Sequence, residues 1–405
     1  MRTDLQLVVS SAFIGEDLEY VEGPLTISIL PDGTINGIGR GAASGRGAID
    51  LRGLTALPPL ANLHTHILDL AIAEEGWDLD IDSVVGEPYG LKYVLLRRAG
   101  RELYLRAVHR FLKLSYRMGV GYVVEFRELG PEALAIDYGS RPYGHVVLGM
   151  PSSHDRDVVE AEVGALSVMS DGLAISSPNY FSPETIEYMS RYFKGRFIAS
   201  HVAETREVRE CGDLEALLRA VKPTAVVHGT WLTEEDLQLL KELGVAIVSC
   251  PRSNRWFLSG TPPIDLMYRV GAKVGFGTDN AGWVKNDLWR EGEEALLIMR
   301  SRGINDPKWV LKSLTVNAGI FGFKNYICEG CPASLLLLKT SVVGLDVVRN
   351  KYLGVVKRGG PEAVSALVVG GTPRWCLRDA STLCNSLRNH VGRREDSFKD
   401  GGVEA

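Results

Sequence analysis

The sequence predicts an α/β fold in which a (β/α)8 TIM barrel carries a small β-sandwich domain built from both chain termini. Between residues 56 and 323, apolar strand-like runs alternate with helix-like segments, and eight such strands suggest a closed barrel. A doubly wound open sheet is the alternative that the same alternation allows. Short strand-like runs separated by turn residues lie before and after this region, so the smaller domain is expected to be discontinuous.

The small β domain is expected to consist of residues 1–55 and 324–375. In its first part, "PDGT" separates two alternating runs and predicts a hairpin. The glycine-rich "GIGRGA" leads into another glycine-rich loop and a strand, which does not fit a nucleotide-binding loop. The runs "ASLLLLKTS" and "AVSALVVGG" of the second part could pair with the N-terminal strands. Residues 376–405 are interpreted as a polar tail that frays.

The barrel strands are predicted from apolar runs bounded by glycine, proline and charged residues. In order, these runs are "TALPPLANLHTH", "GVGYVVEFR", "GHVVLGM", "GLAIS", "RFIASH", "TAVVH", "GVAIVS" and "KVGFGTD". The helix after the sixth run is predicted to begin with a capping box, with Thr233 as the N-cap and Asp236 in the position of the usual Glu.

Composition excludes several classes of partner. The chain has 405 residues, 45% of them hydrophobic and 23% charged, and a formal net charge of -5, so no global field favours nucleic acid or an anionic membrane. No apolar run approaches the roughly 18 residues of a membrane span, and the N-terminus lacks a signal-peptide pattern. We therefore expect a cytoplasmic protein with a small-molecule substrate.

The cysteines leave three alternatives open. The motif "CEGC" supplies Cys328 and Cys331, and "CLRDASTLC" supplies Cys376 and Cys384. These four could bind a second, structural metal ion, form two disulfides, or remain free thiols. Free thiols are the ordinary state in a cytoplasmic protein, and disulfides are expected there only in hyperthermophiles.

Polar side chains close several predicted barrel strands at their C-terminal ends, which meet at one mouth of a TIM barrel. The first strand ends with His64 and His66, the fifth with His201, the sixth with His228 and the eighth with Asp279. Strand alternation places His64 and His66 on the same face. Three imidazoles and one carboxylate form a plausible shell for a divalent metal ion.

Glu204 lies three residues after His201 in the motif "HVAE". This offset places its carboxylate over the mouth, where it could move protons between a metal-activated water and a leaving group. The alternative role is structural, because acidic residues also favour the N-terminus of a following helix.

These motifs, in this order, resemble the amidohydrolase superfamily and, within it, the cytosine deaminase-like or chlorohydrolase–deaminase branch. The resemblance covers nearly the whole chain, from "DGTINGIG" through "HTH", "HVAET", "VVHGTW" and "GFGTDN" to "ICEGCPASLLLL". It implies one divalent ion, zinc or iron, held by His64, His66, His201 and Asp279. It further implies that His228 contacts substrate or the attacking water. Relatives of this branch are often dimers or larger, so a homo-oligomer is expected.

Two features disfavour other branches of the superfamily. The fourth strand, "GLAISS", contains no Lys, which disfavours the binuclear hydrolases that use a carboxylated Lys there. Adenosine deaminases usually show two adjacent Asp on the eighth strand and lack the flanking β domain, whereas this chain has Asp279-Asn280 and carries the domain.

Two departures separate the chain from the branch that it resembles. Many relatives carry a His on the fourth strand where the chain has Ser176 and Ser177, near the expected substrate position. The second departure, Ser334 in place of a late Asp, lies in the β domain.

The resemblance implies an aminohydrolase. A metal-activated water would attack the amino-bearing trigonal carbon of a nucleobase-like or amidine substrate and release ammonia. Glu204 would protonate the ring nitrogen and then the leaving ammonia, Asp279 would orient the water and take its proton, and His228 would donate to the developing oxyanion. The alternatives are cleavage of a cyclic amide or another C–N or C–Cl bond, and a non-catalytic barrel scaffold.

Substrate contacts are predicted from the loops at the mouth. The long loop after the first strand offers Trp77, together with Tyr89 and Lys92. The segment "CPRSNRWF" after the seventh strand offers Arg252, Asn254, Arg255 and Trp256. An arginine there could pair with a substrate carboxylate or phosphate, or form a salt bridge with a neighbouring helix. The charged residues of "FRELG", namely Glu125, Arg127 and Glu128, are expected to form internal pairs.

Overall fold

A computed structural model describes residues 4–42 and 47–391 of the chain. Within these residues the predicted α/β class and barrel are confirmed, because a nine-stranded parallel sheet and a seven-stranded mixed sheet account for the strands. The strands are β1 (Leu5–Ile14), β2 (Glu19–Ile29), β3 (Ile35–Arg40), β4 (Ile49–Leu57), β5 (Leu60–His66), β6 (Val120–Arg127), β7 (His145–Gly149), β8 (Gly172–Ile175), β9 (Phe197–Val202), β10 (Ala225–His228), β11 (Ala246–Ser249), β12 (Val274–Phe276), β13 (Asp279–Asn280), β14 (Leu335–Lys339), β15 (Val364–Val369) and β16 (Thr372–Cys376).

The helices lie mainly between the barrel strands. They are α1 (Ile81–Val85), α2 (Leu91–Arg117), α3 (Gly130–Leu134), α4 (Arg156–Met169), α5 (Pro183–Tyr192), α6 (Arg206–Glu210), α7 (Asp213–Ala220), α8 (Glu234–Leu243), α9 (Pro251–Trp256), α10 (Ile264–Val270), α11 (Leu288–Ser301), α12 (Pro307–Leu314), α13 (Lys351–Arg358) and α14 (Ser381–His390). Short 3-10 turns cover Ile67–Ile72, Pro178–Tyr180, Val316–Phe321 and Arg378–Ala380. The capping box predicted for α8 is confirmed, since Thr233 Oγ1 accepts from Asp236 N at 3.2 Å and Asp236 Oδ2 accepts from Thr233 N at 3.0 Å.

The barrel closes through a divided eighth strand. Its first part, β12, pairs with β11, whereas its second part, β13, pairs with β5. The register of the second pairing places Asp279 beside Thr65 and Asn280 beside His66. Barrel closure therefore brings the carboxylate of the last strand next to the histidine pair of the first.

The small β domain takes the form of one sheet rather than two packed sheets. Its order is β16-β15-β14-β4-β1-β2-β3, so the C-terminal strands join the N-terminal ones through antiparallel pairing of β14 with β4. The hairpin predicted at "PDGT" is confirmed by the antiparallel pairing of β2 with β3. One face of the sheet packs apolar residues against α14, including Leu383 and Leu387. This helix, rather than a second sheet, packs on that face.

Part of the segment interpreted as a polar tail is therefore helical, namely α14. Its amphipathic sequence explains this, because Leu383, Cys384 and Leu387 fall on one face and are buried against the sheet. Residues 392–405, where fraying is expected, lie outside the described residues.

The four clustered cysteines are paired as disulfides, Cys328 with Cys331 and Cys376 with Cys384. The second disulfide joins β16 to α14. Among the described residues, none of the side-chain groups able to hold a metal ion includes a cysteine, so the second-metal alternative is not supported. No helix of the described part of the chain is long and apolar enough to cross a bilayer.

Candidate metal centre and catalytic cavity

Four donor atoms converge at the mouth of the barrel. Asp279 Oδ1 lies 3.1 Å from His64 Nε2 and 3.4 Å from His66 Nε2. His201 Nε2 lies 3.3 Å from the Nε2 atoms of both His64 and His66. Ligands about 2.0–2.1 Å from a tetrahedral zinc ion are about 3.3–3.4 Å apart, so these separations fit the edges of such a shell. The predicted donor set is brought together in full.

Backbone conformation and local hydrogen bonds position these donors. His64 and His66 lie on the barrel face of β5, while Thr65 Oγ1 on the opposite face donates to Asp279 O at 2.9 Å. The side chain of Asn62 holds the turn before Asp279, because it donates to Thr278 Oγ1 at 2.8 Å and accepts from Thr278 N at 3.0 Å. The backbone of Asp279 is in the left-handed region, with a φ of 60°.

Two of the three imidazoles have a fixed tautomer. His201 Nδ1 donates to Ser176 O at 2.9 Å, and His66 Nδ1 is hydrogen-bonded to Glu128 Oε1. In each ring this leaves the Nε2 lone pair directed at the centre, as metal ligation requires. His64 Nδ1 has no hydrogen-bond partner among the described residues.

Asp279 is oriented in a similar way. Its Oδ2 accepts from Ser253 Oγ at 2.6 Å and from Asn280 Nδ2 at 2.9 Å, which leaves Oδ1 for the centre. Burial alone would raise the pKa of Asp279, but the hydrogen bond from His64 and the neighbouring imidazoles hold that pKa well below its usual range. The carboxylate is therefore ionised.

Burial also keeps two of the imidazoles neutral. It lowers the pKa of His64 to about 3, and burial together with the neighbouring histidines lowers the pKa of His201 well below its usual value. Only neutral imidazole binds a metal ion. For His66, burial and Lys92 lower the pKa, but the carboxylates of Glu128 and Asp279 outweigh them and raise it.

Glu204 and His228 lie beside the four donors. Glu204 Oε2 is 3.5 Å from His228 Nε2, and the Glu204 side chain is 20% exposed. Burial raises the pKa of Glu204, so its carboxyl keeps a proton at higher pH than an exposed glutamate. Asn254 Nδ2 donates to His228 Nδ1 at 3.0 Å, and in this arrangement the neutral ring carries its proton on Nε2.

The position of Glu204 depends on a backbone turn. The preceding residue, Ala203, is left-handed with a φ of 52°, and its N–H donates to Asp213 Oδ2 at 2.6 Å. Asp213 is buried at the start of α7. Sequence analysis did not single out this carboxylate, because ten residues separate it from the turn that it holds.

A cavity of about 140 Å³ opens onto the centre. His66, His201, Glu204, His228 and Asp279 line its inner end. The rest of the wall includes the carboxylates of Asp82 and Glu87, the side chains of Asn179 and Tyr180, and Ser176 and Ser177. The arrangement can therefore hold a divalent ion, an acid and a hydrogen-bond donor around one small polar substrate.

Comparison with known proteins identifies the family. The model of the amidohydrolase family matches residues 55–372, most of the chain. The chain belongs to the amidohydrolase family. The expected enzyme class, a metal-dependent hydrolase acting on C–N bonds, is confirmed with it.

Two curated relatives align with most of the sequence of this amidohydrolase. A putative aminohydrolase of Methanothermobacter thermautotrophicus is 30% identical over 362 residues, which cover 85% of this chain and 92% of the relative. A 5-methylthioadenosine/S-adenosylhomocysteine deaminase of Aquifex aeolicus is 26% identical over 404 residues, which cover 89% and 91% of the two chains.

Solved structures share the fold. An adenosine deaminase from Xanthomonas campestris with bound zinc superposes with a TM-score of 0.78 at 18% identity and covers 96% of this chain and 98% of its own. An atrazine chlorohydrolase from Arthrobacter aurescens, complexed with zinc, superposes with a TM-score of 0.74 at 18% identity, covering 96% and 100% of the two chains. At these identities the likeness concerns the fold.

The amidohydrolase also has a buried charged group beside the metal centre, which we call the mouth cluster: Asp69, Lys92 and Glu128. Lys92 Nζ lies 2.6 Å from Glu128 Oε1 and donates to Asp69 Oδ2 at 3.1 Å. Burial would raise the pKa of Glu128, but Lys92 and His66 lower it below its usual range, whereas burial raises the pKa of Asp69 to about 7. Lys92, a predicted substrate contact, reaches the cavity wall but is already held by two carboxylates.

A second group, which we call the flank cluster, lies on the outer side of β6: Glu125, Arg127, Asp137 and His145. Arg127 donates two hydrogen bonds to Glu125, at 2.6 and 2.7 Å, and two to Asp137, at 3.1 and 3.2 Å. His145 Nε2 lies 2.9 Å from Glu125 Oε2. Glu125 and Arg127 thus form internal pairs.

The predicted substrate contacts are distributed differently. Arg252 Nη1 lies 3.2 Å from Glu291 Oε1, and Arg255 pairs with Glu294, both of which belong to α11. Asn254 contacts His228 rather than open space. Trp77 is 64% exposed and is not among the residues that line the cavity. The structure therefore brings none of these four side chains to a free position on the cavity wall.

Proposed function

We propose that this amidohydrolase is a mononuclear zinc aminohydrolase that releases ammonia from an uncharged, amino-bearing nucleobase-like heterocycle. The observation that carries the proposal is the placement of Glu204 and His228, 3.5 Å apart, beside the four metal-ligating atoms. Deamination of such a ring needs a proton donor and an oxyanion donor on the same side as the attacking water. The names of the curated relatives, an aminohydrolase and several deaminases, agree with this chemistry.

His64, His66, His201 and Asp279 would hold a divalent ion, which would supply an activated water for addition to the amino-bearing carbon. Asp279 would accept one proton of this water and pass it to the departing amino group. Glu204 would donate its proton to the ring nitrogen and regain a proton from the new hydroxyl group as the C–N bond breaks and the carbonyl forms. The products would be ammonia and the ring carbonyl, with Glu204 protonated again.

His228 acts on the same oxygen. Its Nε2–H, set by the hydrogen bond that Nδ1 accepts from Asn254, donates to the oxygen as negative charge develops there. This role needs no change in the charge of His228. Both the proton donor and the oxyanion donor are thus supplied by residues at the C-terminal ends of neighbouring strands.

The charges around the cavity support an uncharged substrate. The lysine that reaches the wall, Lys92, is paired with two carboxylates, and Arg252 is paired with Glu291. Asp82 and Glu87 add negative charge to the outer wall. Among the described residues that line the cavity, Lys92 is the one lysine or arginine, so a phosphate or carboxylate on the substrate would meet repulsion without an unpaired side-chain cation to offset it.

The first test measures metal content by elemental mass spectrometry on protein purified without added metal, beside the His66→Ala variant. We expect about one zinc per chain in the wild type and a loss of zinc in the variant. Ammonia release is then measured with adenosine, 5-methylthioadenosine, guanine, cytosine and an aminotriazine, and with adenosine 5-monophosphate as the charged comparator. No metal in either protein after reconstitution would overturn the proposal.

Glu204→Gln separates chemistry from metal binding. The variant should retain zinc but react about 10²–10⁴-fold more slowly, because general acid–base help of this kind is worth that factor. Chloride release from a chlorotriazine, or ring opening of a cyclic amide without ammonia, would favour the alternative hydrolases. A preference for the phosphorylated nucleoside would contradict the substrate charge.

A further inference from the structure

The three imidazoles of the metal centre differ in what holds their second nitrogen. His201 Nδ1 faces a backbone carbonyl, and His64 Nδ1 has no partner among the described residues. His66 Nδ1 alone of the three is hydrogen-bonded to a carboxylate, that of Glu128. A carboxylate fixes the ring and increases the electron density on the ligating nitrogen more strongly than a neutral carbonyl does.

Glu128 is itself held in place from behind. It follows β6 directly, and Lys92 from α2 lies 2.6 Å from the same oxygen, Oε1, that contacts His66. Lys92 is in turn fixed by Asp69, which belongs to the 3-10 turn after β5. All three side chains are almost fully buried. Three separate elements thus converge on one imidazole nitrogen.

Burying the mouth cluster costs free energy, and the need to fill space in the core does not account for it. Removing two carboxylates and an ammonium from water is unfavourable, and apolar residues of similar volume would fill the space at least as stably. The hydrogen bond to His66 is the contact through which the mouth cluster reaches the metal centre.

We propose that Glu128 and Lys92 are positioning residues that set the orientation of His66 and strengthen its binding to the metal ion. Glu128 acts on His66 directly, and Lys92 acts through Glu128. The inference rests on the metal centre and does not depend on the identity of the substrate.

Zinc affinity provides a test that requires no turnover. The dissociation constant for zinc is measured by competition with a chromophoric chelator, on wild type and on Glu128→Ala. The variant should bind zinc about 10–100-fold more weakly, the usual effect of removing such a partner from a ligating histidine. Glu128→Gln, whose amide oxygen can still accept from Nδ1, should lie between the two. Lys92→Met should also weaken binding, by less than Glu128→Ala.

Glu125→Ala is the matched control. It removes an equally buried carboxylate from β6, the strand that Glu128 directly follows, yet that carboxylate contacts Arg127 and His145 rather than a residue of the metal centre. Its zinc affinity should equal that of the wild type even if it unfolds more easily. The visible spectrum of the cobalt-substituted protein gives a second readout, which should change in Glu128→Ala and not in Glu125→Ala.

The outcomes separate this inference from the proposed function. Wild-type zinc affinity in folded Glu128→Ala or Glu128→Gln, or equal weakening in Glu125→Ala, would overturn the positioning role while leaving the metal centre intact. Failure of the wild type to bind zinc would overturn both. If Glu128→Ala does not fold, Glu128→Gln and Lys92→Met decide the question by the same measurement.

Discussion

The mouth cluster and the flank cluster are built from the same parts, yet they serve different ends. Each contains two carboxylates and one long cation, each is in contact with a histidine, and each has a carboxylate on or directly after β6. The mouth cluster contacts His66 of the candidate metal centre, whereas the flank cluster includes His145 of the neighbouring strand β7. Two buried ionic clusters of similar residue composition can therefore have different roles. Here the role depends on whether the carboxylate lies within β6 or directly after its end.

The alternation of side chains along β6 produces this separation. Phe126 points into the barrel, where the centroid of its ring lies 4.5 Å from the ring centroid of His64 and 5.0 Å from that of His201. Glu125 and Arg127, on either side of Phe126, therefore point outward to the helical layer. Glu128 comes directly after the end of β6. The alternation of side chains along the strand therefore does not fix its direction, and its carboxylate can reach the mouth.

The largest expected effect tests the flank cluster. Arg127→Met should lower the free energy of unfolding by about 3–5 kcal/mol, because it leaves two buried carboxylates without their cation. Lys92→Met should cost a similar amount for the same reason. Denaturant unfolding measures both, and only Lys92→Met should also weaken zinc binding. A parallel loss of zinc affinity in Arg127→Met would remove the distinction between the two clusters.

Removing the metal ion sharpens the comparison. At free zinc 1,000-fold above its dissociation constant, binding should stabilise the wild type by about 4 kcal/mol relative to chelator-treated protein. At the same free zinc concentration, binding should stabilise Glu128→Ala by about 1.4–2.7 kcal/mol less than it stabilises the wild type, because the variant binds zinc about 10–100-fold more weakly. Glu125→Ala should gain as much as the wild type. Thermal unfolding with and without chelator measures each difference.

A third prediction concerns a buried carboxylate that belongs to neither cluster. Asp213→Ala removes the acceptor that holds Ala203 N–H, so the turn before Glu204 should relax and kcat should fall about 10–100-fold. Zinc affinity should stay unchanged, because Asp213 contacts no metal ligand. Steady-state kinetics beside chelator competition would show the split; a loss of zinc with unchanged kcat would contradict this role.

The smallest expected effect sets the scale. Thr233→Ala removes the side-chain cap of α8, which belongs to neither cluster, and should cost about 1 kcal/mol of stability. Zinc affinity and kcat should equal those of the wild type. Any change in zinc affinity here would mean that general loss of stability weakens the metal centre, and the comparisons above would need correction by that amount.

The residues of the candidate metal centre could be predicted from the sequence because each is one residue at or near the end of a strand. Once eight strands close into a barrel, their C-terminal ends must meet, so His64, His201 and Asp279 converge without any knowledge of side-chain contacts. The capping box at Thr233 was predictable for a similar reason, since it depends on four consecutive residues.

The surroundings of the site were not predictable in the same way. Lys92 was assigned to a loop, but α2 begins at Leu91 and breaks at Gly100, which places Lys92 behind Glu128. From the sequence alone, Arg252 could bind a substrate anion or form a salt bridge. The structure shows the salt bridge, and its partner, Glu291, lies on a helix 39 residues later in the chain. The cytoplasmic location and the homo-oligomeric state stay predictions.

The two-residue strand β13 links metal binding to the completion of the fold. His64 and Asp279 are 215 residues apart in the chain, yet β5 and β13 are neighbours where the barrel closes. An ion held by residues of both strands would join the beginning and the end of the barrel. The four-residue donor set is complete only when β13 has paired with β5, so an ion bound by all four residues would favour the closed barrel over open precursors. Metal binding and closure of the barrel would then be coupled.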